Sequence, residues 1–161
     1  MELYLFNPDS DLALANNEAN YIAPASARRM AQDMALLPIW YAAPGSAVLA
    51  PSAYNADFLK RMRELFGLQV QLVTEPELPD YAEARIVPWG WNPAIRRFFL
   101  KGGVREDRLP SPQLLAEYRL LSSRLQAVAV TRCMVDRYPE CTCGEHTLLN
   151  NIADCERTVN A

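Results

Sequence analysis

Residues 3–21 read LYLFNPDSDLALANNEANY. The stretch opens on four apolar residues, Leu3-Tyr4-Leu5-Phe6, and turns polar at once at Asn7, Asp9 and Asp11. A short apolar run cut off by a turn is the pattern of a strand buried on both faces, as in a parallel sheet. No Lys or Arg precedes Arg28, so nothing close in sequence neutralises Asp9 and Asp11. The fold and the candidate site therefore both begin in this stretch.

Outward from it, the chain alternates between two periodicities. Residues 24–37 predict a helix, with Pro24 in its first turn, Ala27, Met30, Ala31 and Met34 at helical spacing, and Pro38 as its stop. Residues 47–50 predict a second strand. Ser52 is a candidate N-cap for a helix running to Phe66, followed by Gly67. Residues 68–73 alternate as a third strand, and residues 84–87 form a fourth that Pro88 stops. Asn92-Pro93 opens a helix through Leu100, closed by Gly102-Gly103. Beyond Pro110-Ser111-Pro112 the sequence predicts one helical stretch to about Val130, an irregular segment over residues 133–147 and a last helix over 148–157.

This rhythm specifies an α/β fold. It is an open, mostly parallel Rossmann-like sheet of about four strands with flanking helices, plus a helical C-terminal tail. Residues 1–104 are assigned to the α/β domain. Residues 105–161 are assigned to a helical extension that reads as the incomplete start of a following domain.

Composition narrows the function classes. Half of the 161 residues are hydrophobic, enough for one real core. The net charge is −3 with mixed signs along the chain, which argues against nucleic acid or an anionic membrane as partner. Residues 34–56 carry no charge, but Pro38, Pro44, Gly45 and Pro51 break them, and the N-terminus has no signal-peptide pattern. A soluble, cytoplasmic protein is expected. Cys133, Cys141, Cys143 and Cys155 all fall near the end of the chain, which suits reduced thiols better than a disulfide framework.

Ligands of open parallel sheets bind at the carboxyl ends of the strands. By that rule the candidate substrate-binding residues are Asn7, Asp9 and Asp11 after the first strand, Ser52 after the second, and Trp89, Trp91, Asn92 and Arg96 after the fourth. Ser52 heads a helix whose free N–H groups can hold an anion. The two tryptophans can stack on a ligand ring or cover the sheet's end. Asn92 is equally a helix N-cap. Asp9 and Asp11 can contact a polar substrate or shape their own loop. They also resemble the paired aspartates of haloacid-dehalogenase-type phosphatases, where one attacks phosphorus, the other is acid/base and Mg²⁺ neutralises both. In that pattern the strand runs straight into the first Asp and Gly-Thr follows the second. Here Asn7-Pro8 intervenes and Leu12-Ala13 follows.

Cys141, Cys143, His146 and Cys155 can be read as zinc ligands, although the one-residue gap is tighter than ordinary Cys-x₂₋₄-Cys knuckles. No metal site is assigned. His146 is the only histidine, and no nucleophile elbow, Walker loop or GxGxxG is present.

Several stretches in order, LYLFNPDSDLALAN, APASARRMAQDMALLP, VPWGWNPAIRRFFLKGG and LPSPQLLAEYRLLSSR, resemble the N-terminal, pre-ATP-grasp part of an uncharacterised ATP-grasp-like protein family of Bacteroidetes. The resemblance covers roughly residues 1–125. It implies a Rossmann-like front domain that helps to hold the substrate of a ligase joining a carboxylate to an amine or thiol through an acyl-phosphate. It gives Asn7, Asp9, Asp11, Trp91 and Asn92 a role in that holding. ATP and Mg²⁺ are implied only where the full ATP-grasp region follows, and nothing after residue 125 supplies its strand lysines or its acidic cluster.

Three expectations follow. The first is a substrate-binding front domain, inactive alone and without a cofactor of its own, whose partner is a polar small molecule. The second is a non-catalytic interaction module whose apolar surface awaits a partner, and self-association through exposed apolar surface is expected of a truncated domain. The third is a Mg²⁺-dependent phosphatase using Asp9 and Asp11.

Overall fold

The computed structural model describes residues 1–138. The cysteine–histidine group at Cys141, Cys143, His146 and Cys155 and the helix expected over 148–157 lie outside the described residues. The chain clusters into a first compact unit, Met1–Arg119, and a second that begins at Leu120.

The first unit is an α/β structure on a four-stranded sheet. Its strands are β1 (Glu2–Leu5), β2 (Ser46–Leu49), β3 (Val70–Val73) and β4 (Arg85–Pro88). Every pairing is parallel, and the order is β3-β2-β1-β4. Each strand feeds both faces, which is why β1 and β2 read as nearly continuous apolar runs, while the edge strands β3 and β4 carry exposed Gln71 and Arg85. On one face Leu3, Ala47, Leu49, Val73 and Ile86 pack with Leu78, Phe99, Val104 and Leu109. On the other, Tyr4, Val48, Ala50 and Val70 pack with Ala35, Leu36, Ile39 and Leu59. Odd and even positions of one strand thus divide between two cores, as the pleat requires.

The helices follow the capping chemistry, with informative departures. Helix α1 (Ser10–Asn16) occupies part of the polar stretch read above as a loop. It is only two turns long and ends where Asn17 takes a left-handed conformation with φ 61°, one that Asn tolerates better than most residues. Helix α2 (Ala25–Asp33) stops four residues short of its expected end and buries none of its residues. Pro38 disfavours the helical region for Leu37, and the chain forms a tight 3₁₀ turn over Leu37–Trp40 instead. That turn and its approach, Ala35, Leu36, Pro38 and Ile39, carry the burial that the periodicity assigns to the helix.

Ser52 accepts from the N–H of Tyr54 at 3.3 Å, capping a 3₁₀ turn (Ala53–Asn55) that leads into helix α3 (Ala56–Phe66). Gly67 closes α3 with φ 65°, a left-handed cap that suits glycine. Pro88 lies inside β4 rather than beyond it, paired with Leu5. A proline is tolerated there because β4 is an edge strand, where a missing N–H breaks no ladder. Helix α4 (Pro93–Lys101) begins at Asn92, and helix α5 (Pro112–Leu121) begins after Ser111, whose hydroxyl accepts from the N–H of Leu114 at 3.1 Å.

The expected single helix to about Val130 is broken at Ser122-Ser123. Ser123 leaves the helical region (φ −73°, ψ 145°) and caps a separate helix α6, Arg124–Arg137. Helix α6 also claims Cys133 and its neighbours from the stretch expected to be irregular. Among the described residues no helix is long and apolar enough to cross a membrane.

Candidate functional site

The strand order places a topological switch between β1 and β4. From β1 the sheet grows through β2 to β3, and β4 then returns to β1's other side. Such a reversal leaves a crevice between the two diverging loops, the usual ligand position in open α/β sheets. Residues 6–9 leave β1 here and residues 89–92 leave β4.

The two loops are tied together. Asn7 is 5% exposed, and its side-chain amide donates to the Gly90 carbonyl at 2.8 Å while its Oδ1 accepts from the Gly90 N–H at 3.2 Å. One rung below, the Trp89 N–H donates to the Leu5 carbonyl at 2.8 Å. The Asn7 side chain therefore imitates a peptide unit and continues the β1–β4 ladder past the end of the backbone pairing. Only an amide offers both a donor and an acceptor in this form. We expect Asn7→Ala to lower unfolding free energy by about 1–3 kcal/mol, because it strands a partly buried N–H and C=O. Asn7→Asp should be no better, since a carboxylate cannot donate to the Gly90 carbonyl. Chemical denaturation of the three proteins measures the difference.

Gly90 is also in close approach to α1. A β-carbon built on it falls 2.5 Å from the Ser10 Cβ and 2.6 Å from its Oγ. The two loops meet here with no room for one more atom.

The remaining candidates divide by what they touch. Asn92 is 1% exposed, and its Oδ1 caps α4 by accepting from the Ile95 N–H at 3.0 Å. Trp91 is half-buried against the core, its ring 6.3 Å from Phe99 and edge-on. Arg96 donates through Nε to the Pro110 carbonyl at 2.9 Å and pairs with Glu106, which pins the approach to α5. These three residues are engaged within the protein. Trp89 differs: its ring leans edge-on against Phe6 at 5.4 Å yet stays 56% exposed.

Asp9 takes the N-cap position of α1 without a side-chain capping bond, and Asp11 stands exposed in its first turn, where a carboxylate suits the helix dipole. Neither is in a salt bridge among the described residues. Two positions apart at a helix start, side chains diverge by about 200°, so the pair does not converge on one cation or one phosphorus. Among the described residues no three of His, Cys, Asp and Glu gather as a metal site would require.

One group escaped the sequence reading. The Tyr21 hydroxyl oxygen is shut off from solvent and has no hydrogen-bond partner among the described residues. Burial first, and then the negative charge of Asp9, push its pKa above the ordinary tyrosine value. A tyrosine in a polar loop carries no periodicity, so nothing in the sequence singled it out. At the switch point the chain thus presents an unpaired carboxylate, a neutral unpartnered hydroxyl and an exposed indole.

A second concavity lies at the carboxyl end of β2. Gln32, Asp33 and Ala35 border it from the end of α2, Ala50, Pro51 and Ser52 from the strand's exit, and Tyr54 and Asn55 from the turn into α3, around a volume of about 490 Å³. Ser52 is thus separate from the β1–β4 group.

No protein-family model, curated protein or solved structure matches this chain.

Proposed function

We propose that this chain is the substrate-binding front domain of a cytoplasmic ATP-grasp-like carboxylate–amine ligase, akin to the Bacteroidetes family its motifs resemble. It would hold a polar small molecule at the carboxyl edge of its sheet and leave ATP and Mg²⁺ to the following region of such an enzyme. What supports the reading is the switch point: among the described residues Asp9 has no salt-bridge partner there, and the Tyr21 hydroxyl lies close enough to feel its charge, beside the carboxyl ends of a parallel sheet.

The test compares the chain with the product of its gene read on past residue 161, where the reading frame continues. ATP with Mg²⁺ should leave the melting temperature of the 161-residue chain unchanged, because a ligand stabilises only a fold that binds it. The longer product should be stabilised by ATP and should form ADP when carboxylate and amine are supplied. Stabilisation of the short chain by ATP, or a gene that encodes no lysine-bearing nucleotide region, would overturn the reading. Turnover of an aryl phosphate by the chain, lost in Asp9→Asn, would instead establish the phosphatase.

A different observation supports the interaction module. Trp40 and Phe66 meet edge-to-face at 5.4 Å while remaining 50% and 61% exposed, with Leu65 beside them at 62%. A partner that covers this patch is the reading it favours. Trp40→Ala should then abolish any self-association measured by sedimentation.

A further inference from the structure

We propose that the concavity at the end of β2 is a binding site for a small ligand that carries an ammonium group, with Asp33 as its counter-charge. The proposal rests on the carboxyl edge of the sheet being the ligand-binding edge and is independent of the ligase chemistry. The volume of about 490 Å³ is that of a site for a compact organic molecule.

The lining gives the sign of the charge. None of its eight residues is Lys or Arg, and Asp33 is among them. Asp33 forms no salt bridge with any described residue. Arg29, one turn earlier on α2, borders a neighbouring depression that Asp33 also lines, and it forms no salt bridge with Asp33. Asp33 is also the last residue of α2, whose final turn carries no basic residue. The carbonyl groups of that end add negative potential to the carboxylate. The opposing wall holds no cationic side chain, and Asp57 stands in the first turn of α3 against the positive end of that helix. Ser52 has turned its hydroxyl oxygen to the N–H of Tyr54, and the Ala56 N–H is bonded to the Ala53 carbonyl, so the start of this turn is already occupied. An anion at Ser52, the sequence's first suggestion, would face Asp33 with no cation to offset it.

The other lining groups set the rest of the ligand. Gln32 and Asn55 offer amides that both donate and accept, which fit hydroxyl or amide groups. Tyr54 is 89% exposed, its ring packed on nothing that would hold it open. It can fold over a bound ammonium and present its face, a contact that favours cations.

The experiment is titration of the ¹⁵N-labelled chain by NMR with glycylglycinamide, which carries one ammonium and two amides, against N-acetylglycinamide, which keeps amides and lacks the charge. We expect saturable shifts at Gln32, Asp33 and Asn55 with the ammonium probe, and at least about fivefold weaker binding of the neutral one, as loss of a charge-assisted contact implies. Asp33→Asn should remove that preference, and Tyr54→Ala should weaken the ammonium probe by about two- to fivefold. Asp9→Asn should leave both affinities unchanged, which separates this site from the switch point. Equal binding of the two probes, tighter binding of N-acetylglycinate, or shifts confined to residues elsewhere would each overturn the proposal. None of these results bears on whether the longer gene product forms ADP.

Discussion

Phe99→Ala is expected to cost about 3–5 kcal/mol of unfolding free energy, the largest loss from any single truncation considered for this domain. Phe99 is wholly buried on α4 and joins the core face that includes Leu3, Ala47 and Leu78. Its ring is edge-on to Phe98 at 5.2 Å and to Trp91 at 6.3 Å. Removing it leaves a cavity in a core face to which all four strands contribute, and the strands cannot close inward without losing sheet pairing. For a domain of this size the loss corresponds to roughly 10–20 °C in Tm. Urea unfolding followed by tryptophan fluorescence measures it, and Phe98→Ala, at a partly buried position, should cost clearly less. A cost below about 1 kcal/mol would mean that the packing around α4 is not as described.

Gly90→Ala is expected to cost about 2–3 kcal/mol, although the same change on an exposed loop is nearly neutral. The added methyl meets the Ser10 Cβ at 2.5 Å, and that atom is fixed to the α1 backbone rather than at the end of a flexible chain. Either α1 moves off the sheet or the Asn7 bonds to Gly90 stretch. The cause can be isolated by adding Ser10→Gly, which removes the atom that is struck. The double variant should recover at least 1 kcal/mol relative to Gly90→Ala, a coupling within the range for residues in direct contact. A purely additive cycle would mean that the strain is relieved elsewhere.

The sheet was legible because its signal is redundant. Each of the four strands carries a short apolar run, and each is followed by a turn residue, so an error at one end changes a boundary and not the topology. Boundaries moved where a proline obeyed its surroundings: Pro88 stays in β4 because that strand is at the edge, while Pro38 ends α2 early and drives Leu36 and Ile39 inward. Helix α1 was hidden because two turns, with Leu12 to Ala15 all apolar between polar ends, give no clear period. The break at Ser123 was hidden because a serine cap within an otherwise helical run looks like an ordinary surface residue. The site was legible as a neighbourhood and not as a set of roles. Strand-end reasoning located Asn7 and Asn92 and read Asn92 as a helix cap, but the burial of both and the Asn7 bonds to Gly90 exist only in three dimensions. Tyr21 was invisible for the same reason: its meaning lies in lacking a partner.

The Asn7 amide makes the sheet one rung longer than its strands. That rung belongs to a side chain, so a single codon can delete it while every backbone atom is kept. The two loop regions at the carboxyl edge of the sheet then differ in kind. At β1 and β4 the loops are stapled into one rigid lip, intolerant of insertion because any added residue would carry Asn7 out of register with Gly90. The loop after β2 has no such staple, and Tyr54 stands free upon it. Diversification of ligand preference in this fold is therefore cheapest at residues 51–55, where length and sequence can vary without unzipping the sheet.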